Sequence, residues 1–223
     1  MGDYCLHQAG SASVEPFRSA RGHFACFDGR PVPEKCLNRI LDRARPSPGD
    51  GYFQPSRWLV VRRTAGKQVA QSASYVEASL LTAPVVLICL ADPSAWKTAP
   101  QRIQEMIAKR ALSAENAHAI LRKLRAQYAS SPDFAQRAAL AYAYFAVNQA
   151  FMAAAGCNLS PRWVSEFDEK RIKTYFHIPD HFLVAAIIGL GYTEEDLPRR
   201  PEPHPQAPAY YEEFGQLDPP AVG

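Results

Sequence analysis

The stretch Asp133–Ala155 restricts the fold most, because it is apolar or small on every side of a helix. Leu140, Tyr144, Val147 and Phe151 form a stripe expected to meet a core, and Ala139, Ala143, Ala146, Ala150 and Ala154 fill the turns between them. Ser131 is placed to cap the first turn, Pro132 fits the first helical position, and Asp133 complements the positive end of the dipole. Gly156 ends the run. A helix without a polar face predicts burial all round, which needs either a large core or a partner subunit. In a chain of 223 residues we expect the partner.

Two other segments are continuously apolar. Pro84–Leu90 predicts a central strand covered on both faces, and Phe182–Leu190 a second one. Trp58–Val61 reads as a strand and Trp163-Val164 as a short one. Behind Pro33, the residues Cys36, Leu37, Ile40, Leu41 and Ala44 recur at helical spacing, so Glu34–Ala44 is a helix stopped by Pro46 and Pro48. Gly49-Asp50-Gly51 is a loop. A weaker helix is expected around Lys67–Ser79, and Asp168 caps one over Glu169–Phe176. Residues 95–128 carry Arg or Lys on most turns and read as a solvated helical excursion. The organisation is a flexible N-terminus (1–16), one domain (17–197, with 95–130 as an excursion that could supply a lid) and a Pro-rich C-terminal arm (198–223).

Composition excludes several classes of function. The chain is 47% hydrophobic and 21% charged, which fits a packed core rather than disorder. A net charge of +3 is far from the basic stripe that phosphate backbones require, so no nucleic-acid partner is expected. Met1–Gln8 has no signal-peptide pattern, and runs such as Pro84–Ala91 are too short to span a bilayer, so no membrane partner is expected. Five scattered cysteines without a CxxC pair read as reduced thiols of a cytoplasmic protein, most of them small buried hydrophobes. Metal-ligand spacing, a Gly-x-Ser-x-Gly elbow, a P-loop and Gly-x-Gly-x-x-Gly are all missing, so neither a metal nor a Rossmann site is expected.

Three blocks carry a resemblance. The first runs Arg21-Gly22-His23-Phe24-Ala25-Cys26-Phe27 through Pro33, and the second runs from Pro48-Gly49-Asp50-Gly51-Tyr52-Phe53-Gln54-Pro55 to Arg62. The third joins Ala153–Leu159, Trp163, Phe167-Asp168-Glu169 and Gly189-Leu190-Gly191-Tyr192. In order and spacing they resemble the FMN-dependent nitroreductases, over roughly residues 18–200. That family shows an Arg-x-Ser-x-Arg-x-Phe start, a Pro-Ser-x-x-Asn-x-Gln-Pro-Trp-Arg-Phe block, and Gly-Gly-Phe-Asp-Glu before a last strand and Leu-Gly-Tyr.

The resemblance implies an α+β fold, with a central, mostly antiparallel sheet surrounded by helices. It also implies an intertwined homodimer packed through the helix at Asp133–Ala155, embraced by the C-terminal arm, with FMN between the subunits. Carried over residue by residue, Arg21 matches the family's first arginine, while His23 stands at its Ser and Ala25 at its second cation. A second register lays Arg18-Ser19-Ala20-Arg21 on the motif and needs an insertion before Phe27; the gapless one is preferred. Arg199 or Arg200 stands where a last cation reaches the phosphate, and an ordinary charged loop is the competing reading.

In the second block Gln54-Pro55 and Arg57 match, whereas Tyr52 replaces the Asn and Gly49, beside Asp50, replaces the Ser. Gly49 and Gly51 would let backbone N–H groups approach a ligand, and Tyr52 or Phe53 either stacks on a ring or joins the core. Ser165-Glu166 replaces the Gly pair whose N–H groups reach the flavin edge; the Glu166 carboxylate either opposes an anionic reduced ring or points to water. The implied chemistry is ping-pong hydride transfer from NAD(P)H through FMN to a nitroaromatic, quinone or other conjugated acceptor, with no catalytic side chain named. The alternative is a divergent homologue that keeps the dimer, has altered or lost flavin binding, and sequesters a ligand.

Overall fold

The computed structural model describes residues 26–45, 52–75, 78–193 and 210–217. Its elements are α1 (Glu34–Arg43), β1 (Ser56–Val61), α2 (Thr64–Ala73), β2 (Val85–Ala91), α3 (Ala99–Ala108), α4 (Ala114–Leu124), α5 (Pro132–Ala155), β3 (Arg162–Val164), α6 (Glu169–Phe176) and β4 (Leu183–Leu190). The strands form one four-stranded sheet in the order β1-β2-β4-β3, antiparallel at every step. The architecture is therefore α+β, with helices on both sheet faces.

The two apolar runs become the central pair β2 and β4, and both are buried along almost their whole length. Alternation splits them between two cores. Val85, Leu87, Cys89, Ile188 and Leu190 join α1 and α5. Val86, Ile88, Leu90 and Ile187 join α2 and α6 on the other face. Between Cys89 and Leu90 the register slips, so Ala185 is an extra residue in β4 and the ladder bulges there. The alanines of α5 let its backbone come close to β2: the buried Cys89 thiol donates to the Ala143 carbonyl at 3.9 Å. Burial with no countercharge pushes that thiol up.

Helix starts follow the capping residues. Ser131 Oγ accepts from Phe134 N–H at 3.2 Å, with Pro132 in the first turn of α5. Asp168 accepts from Arg171 N–H at 3.0 Å, and Ser113 accepts from Asn116 N–H at 3.2 Å. Gly156 follows α5 in right-handed geometry; the left-handed residue is Asn158, at φ 56°, which lets Leu159 N–H return to the Ala154 carbonyl.

Three expectations are corrected. The helix around Lys67–Ser79 begins earlier and ends at Ala73, because Ser74 turns extended and bridges Phe167. A separate 3-10 turn follows at Ala78–Leu81. Within the described chain the side of α5 formed by Ala143, Val147, Ala150 and Ala154 faces the sheet, and Tyr144, Phe145 and Met152 are exposed, on the side expected to meet a partner. The stripe residue Tyr144 thus leaves the core and lies 5.8 Å from the Trp163 ring. Of the cysteines, Cys89 is buried, Cys36 and Cys157 are half-buried and Cys26 is exposed, so burial is not their common state. All four carry free thiols.

The excursion has a small core of its own. Ala99, Ile103 and Ala117 bury against each other, with Tyr52 and Phe53 packed on them. A single π-helical turn, Arg125–Ala129, connects α4 toward α5. Within the arm, residues 210–217 contain turns only. By length and hydropathy α5 would suffice to cross a bilayer; 44% of its most apolar window is buried inside the protein.

Candidate functional site

The first and third sequence blocks meet at one end of β4. Asp28 N–H donates to the Tyr192 carbonyl at 3.0 Å, and the Arg30 guanidinium stands 4.5 Å above the Tyr192 ring. Phe27 packs against Gly189 of β4 and Gly191 just beyond it. A β-carbon at Gly191 would come within 2.6 Å of that ring and 2.7 Å of Pro84, so only glycine admits the contact. The chain at Phe27 and the chain just beyond β4 are thereby pinned together. Arg21, His23 and Ala25 precede this junction, and Arg199 and Arg200 follow it; all five lie outside the described residues, as do Gly49 and Asp50.

At the opposite end of the sheet, Gln54 leads into β1 and is exposed. Tyr52 is half-buried and packs into the small core of the excursion. Ser165 and Glu166 leave β3 and are both exposed, so the Glu166 carboxylate faces water. Their loop is held by the bridge from Ser74 to Phe167, in which Tyr75 N–H donates to the Glu166 carbonyl at 3.4 Å and Asp168 N–H to the Ala73 carbonyl at 2.8 Å. That pattern leaves the Ser165 and Glu166 amides outside the bridge.

Strand order separates these two groups. Ser56 pairs with Ala91 and Ala91 with Leu183, while Val164 pairs with Ile187 midway along β4, with β3 running toward the Leu183 end. The Gln54 and Ser165-Glu166 segments thus run toward the same end of the sheet on its opposite edges, three strand spacings or about 14 Å apart across the strands. A single subunit does not bring them together. Arg57, the cation of the second block, is occupied within its own chain: it donates to the Gln54 and Ser56 carbonyls and lies 3.8 Å from Asp92. Ser94 holds the other side of that carboxylate, through its amide at 2.9 Å and its hydroxyl at 2.7 Å.

Two open clefts lie elsewhere, one of about 550 Å³ along α6 and one of about 170 Å³ between α3 and α4; none of Tyr52, Gln54, Ser165 and Glu166 lines either. No cluster of metal-ligating side chains occurs among the described residues. Sequence reasoning missed the outward aromatic face at Tyr144, Phe145, Met152 and Trp163, because apolar residues on an all-apolar helix carry no mark of direction.

An antiparallel α+β sheet with one long helix across it, and exposed loop backbone at the end of its edge strand β3, defines a nitroreductase-like domain. The profile of the nitroreductase family matches residues 24–192, and the chain belongs to that family, and so to the general class of flavin oxidoreductases. It is 28% identical over 167 residues to an NADH dehydrogenase of Thermus thermophilus, covering 74% of this chain and 80% of the relative. Among solved structures it is similar to a nitroreductase-like protein of Streptococcus mutans (TM-score 0.74, 16% identity, 86% of this chain and 94% of the other). It is also similar to a protein of Exiguobacterium sibiricum assigned to the nitroreductases and solved in complex with FMN (TM-score 0.71, 15% identity, 82% and 89%).

Proposed function

We propose that the protein is a homodimeric FMN-dependent oxidoreductase that takes hydride from NADH or NADPH and passes electrons to a conjugated acceptor such as a quinone or nitroaromatic. The observation that carries this reading is the exposed Ser165-Glu166 backbone, fixed by Tyr75 and Asp168 at the end of β3 in a chain of this family. The described residues fit the ring edge of a flavin, since loop amides there are free of the Ser74–Phe167 bridge. With Arg57 engaged by Asp92 and two carbonyls, the phosphate falls to Arg21, Arg199 and Arg200, on chain segments that leave one junction together. FMN, when bound, supplies reversible hydride chemistry, while the chain positions it and shields it from water.

The dimer rests on the outward face of α5. Tyr144, Phe145 and Met152 recur at helical spacing beside Trp163, which is 44% exposed, and a contiguous apolar patch of this kind marks an association surface. A second copy there would set the Gln54 edge of one subunit near the Ser165-Glu166 edge of the other. Cytoplasmic residence accords with the free thiols.

One observation favours the ligand-binding alternative: Tyr52, at the family's Asn position, is drawn into the excursion rather than left at the loop surface. The test is direct. Protein purified from a flavin-replete host should be yellow, run as a dimer, and bleach anaerobically with NADH or NADPH. A colourless protein that takes up no added FMN overturns the redox reading and leaves the alternative. Phe145→Lys, which places charge on the α5 face, should yield monomers that retain less flavin; a variant still dimeric would move the interface elsewhere.

A further inference from the structure

The cleft of about 170 Å³ between α3 and α4 is lined by Trp96, Lys97, Pro100, Leu121, Leu124 and Arg125. Lys97 belongs to the 3-10 turn Ala95–Thr98 that leads into α3, and Arg125 begins the π-helical turn that leaves α4. No carboxylate lines the cleft. Among the described residues neither cation has an ion pair, whereas Arg57, Arg62, Arg102 and Arg137 each stand beside an acid. The Trp96 ring leans on the buried Tyr128 ring at 6.1 Å, with 33° between their planes, so it is a braced wall.

Three observations point to a ligand. Trp96, Pro100 and the two leucines leave apolar surface in water that a ring would cover. Two cations without a counterion leave a positive potential at its border. A π-helical turn is rare and recurs at functional sites, and here its first residue supplies one of those cations. Volume sets the size. A dry cavity of about 150 Å³ takes up a benzene ring. Pockets for much larger ligands run to roughly 300–1,000 Å³, so this one suits a single ring.

We propose that this cleft is a binding site for a small aromatic carboxylate. The ring lies against Trp96, Leu121 and Leu124, and the carboxylate between Lys97 and Arg125, whose guanidinium offers paired donors. None of Tyr52, Gln54, Ser165 and Glu166 lines the cleft, so the site is separate from the flavin reading and does not rest on it. Because Trp96 leans on Tyr128, and Tyr128 meets Phe53 edge-on at 5.5 Å, an occupied cleft fastens the excursion to the chain just before β1.

The experiment titrates the whole protein, as purified, with benzoate while tryptophan emission is followed. Binding should saturate below about 10 mM. Benzamide, with the same ring and no charge, should bind at least roughly 10-fold more weakly. Arg125→Gln and Lys97→Gln should each weaken benzoate by about 5- to 20-fold. Lys123→Gln, exposed and outside the cleft, should leave the affinity unchanged. In the unaltered protein, benzoate should slow amide exchange across residues 95–125 and not in β2 or β4. No saturation, equal affinity for benzamide, exchange slowed elsewhere instead, or affinity unchanged in either Gln variant overturns the proposal. The last result would seat the anion elsewhere, over a flavin included. Lys97 and Arg125 are both exposed, so neither variant disturbs the core, and the exchange map of the unaltered protein locates the site independently of them.

Discussion

Ile188 and Ile103 are both almost wholly buried, yet they belong to regions held together in different ways. Ile188 sits in β4 with Leu87 of β2 on one side and Trp163 of β3 on the other, under the alanine face of α5. Nothing in that core can open without parting strands. Ile103 shares its core with only Ala99 and Ala117, closed by half-buried rings and leucines on two short helices. The excursion buries its apolar surface locally and joins the domain through Tyr52, Phe53 and one π-helical turn. Such a region is expected to open before the sheet does.

The comparison breaks first at the largest effect. Ile188→Ala should lower global stability by about 2–5 kcal/mol in urea unfolding, since the interdigitated core cannot collapse onto the cavity. Gly191→Ala should cost about 1–3 kcal/mol, because the new methyl meets Phe27 and Pro84, and the Pro84 ring cannot rotate away. Ile103→Ala should cost less than about 2 kcal/mol globally, yet speed amide exchange across residues 99–124 by roughly 10- to 100-fold, since the excursion then opens before the sheet. Equal global losses at Ile188 and Ile103 would show one cooperative unit and remove the distinction.

Much of the sheet core was legible because a strand covered on both faces leaves an unbroken apolar run, as in β2 and β4. The caps at Ser131 and Asp168 were legible because they act within one turn. α2 was misjudged at its end because the bridge from Ser74 to Phe167 comes from residues far along the chain. The outward turn of Tyr144 was hidden by the uniformity of α5. At the candidate site, the exposure of Glu166 was one of two readings and is the observed one, and Tyr52 likewise took the core reading of its two, in the excursion. The placement of Gln54 and Ser165 on opposite edges was unreadable, because strand order is a property of the assembled sheet.

Tyr128 tests the seam between the two regions. It is 8% exposed within the π-helical turn, edge-on to Phe53 at 5.5 Å and to Phe134 at 5.0 Å. Burial, and then the neighbouring Tyr142, push its phenol up to about 12 from an ordinary 10. The unfolded chain therefore releases this proton near its ordinary value, and the folded one only near 12. The stabilisation is complete below pH 10 and is lost as pH climbs toward 12. Tyr128→Phe removes a hydroxyl that lies beside Tyr142, which should cost about 0.5–1.5 kcal/mol at neutral pH, and has no phenol to ionise. The gap between the variant and the unaltered protein should accordingly narrow across that alkaline window in parallel urea titrations. A gap that stays constant would mean that the ring is solvated, and that the excursion is already loose where it joins α5.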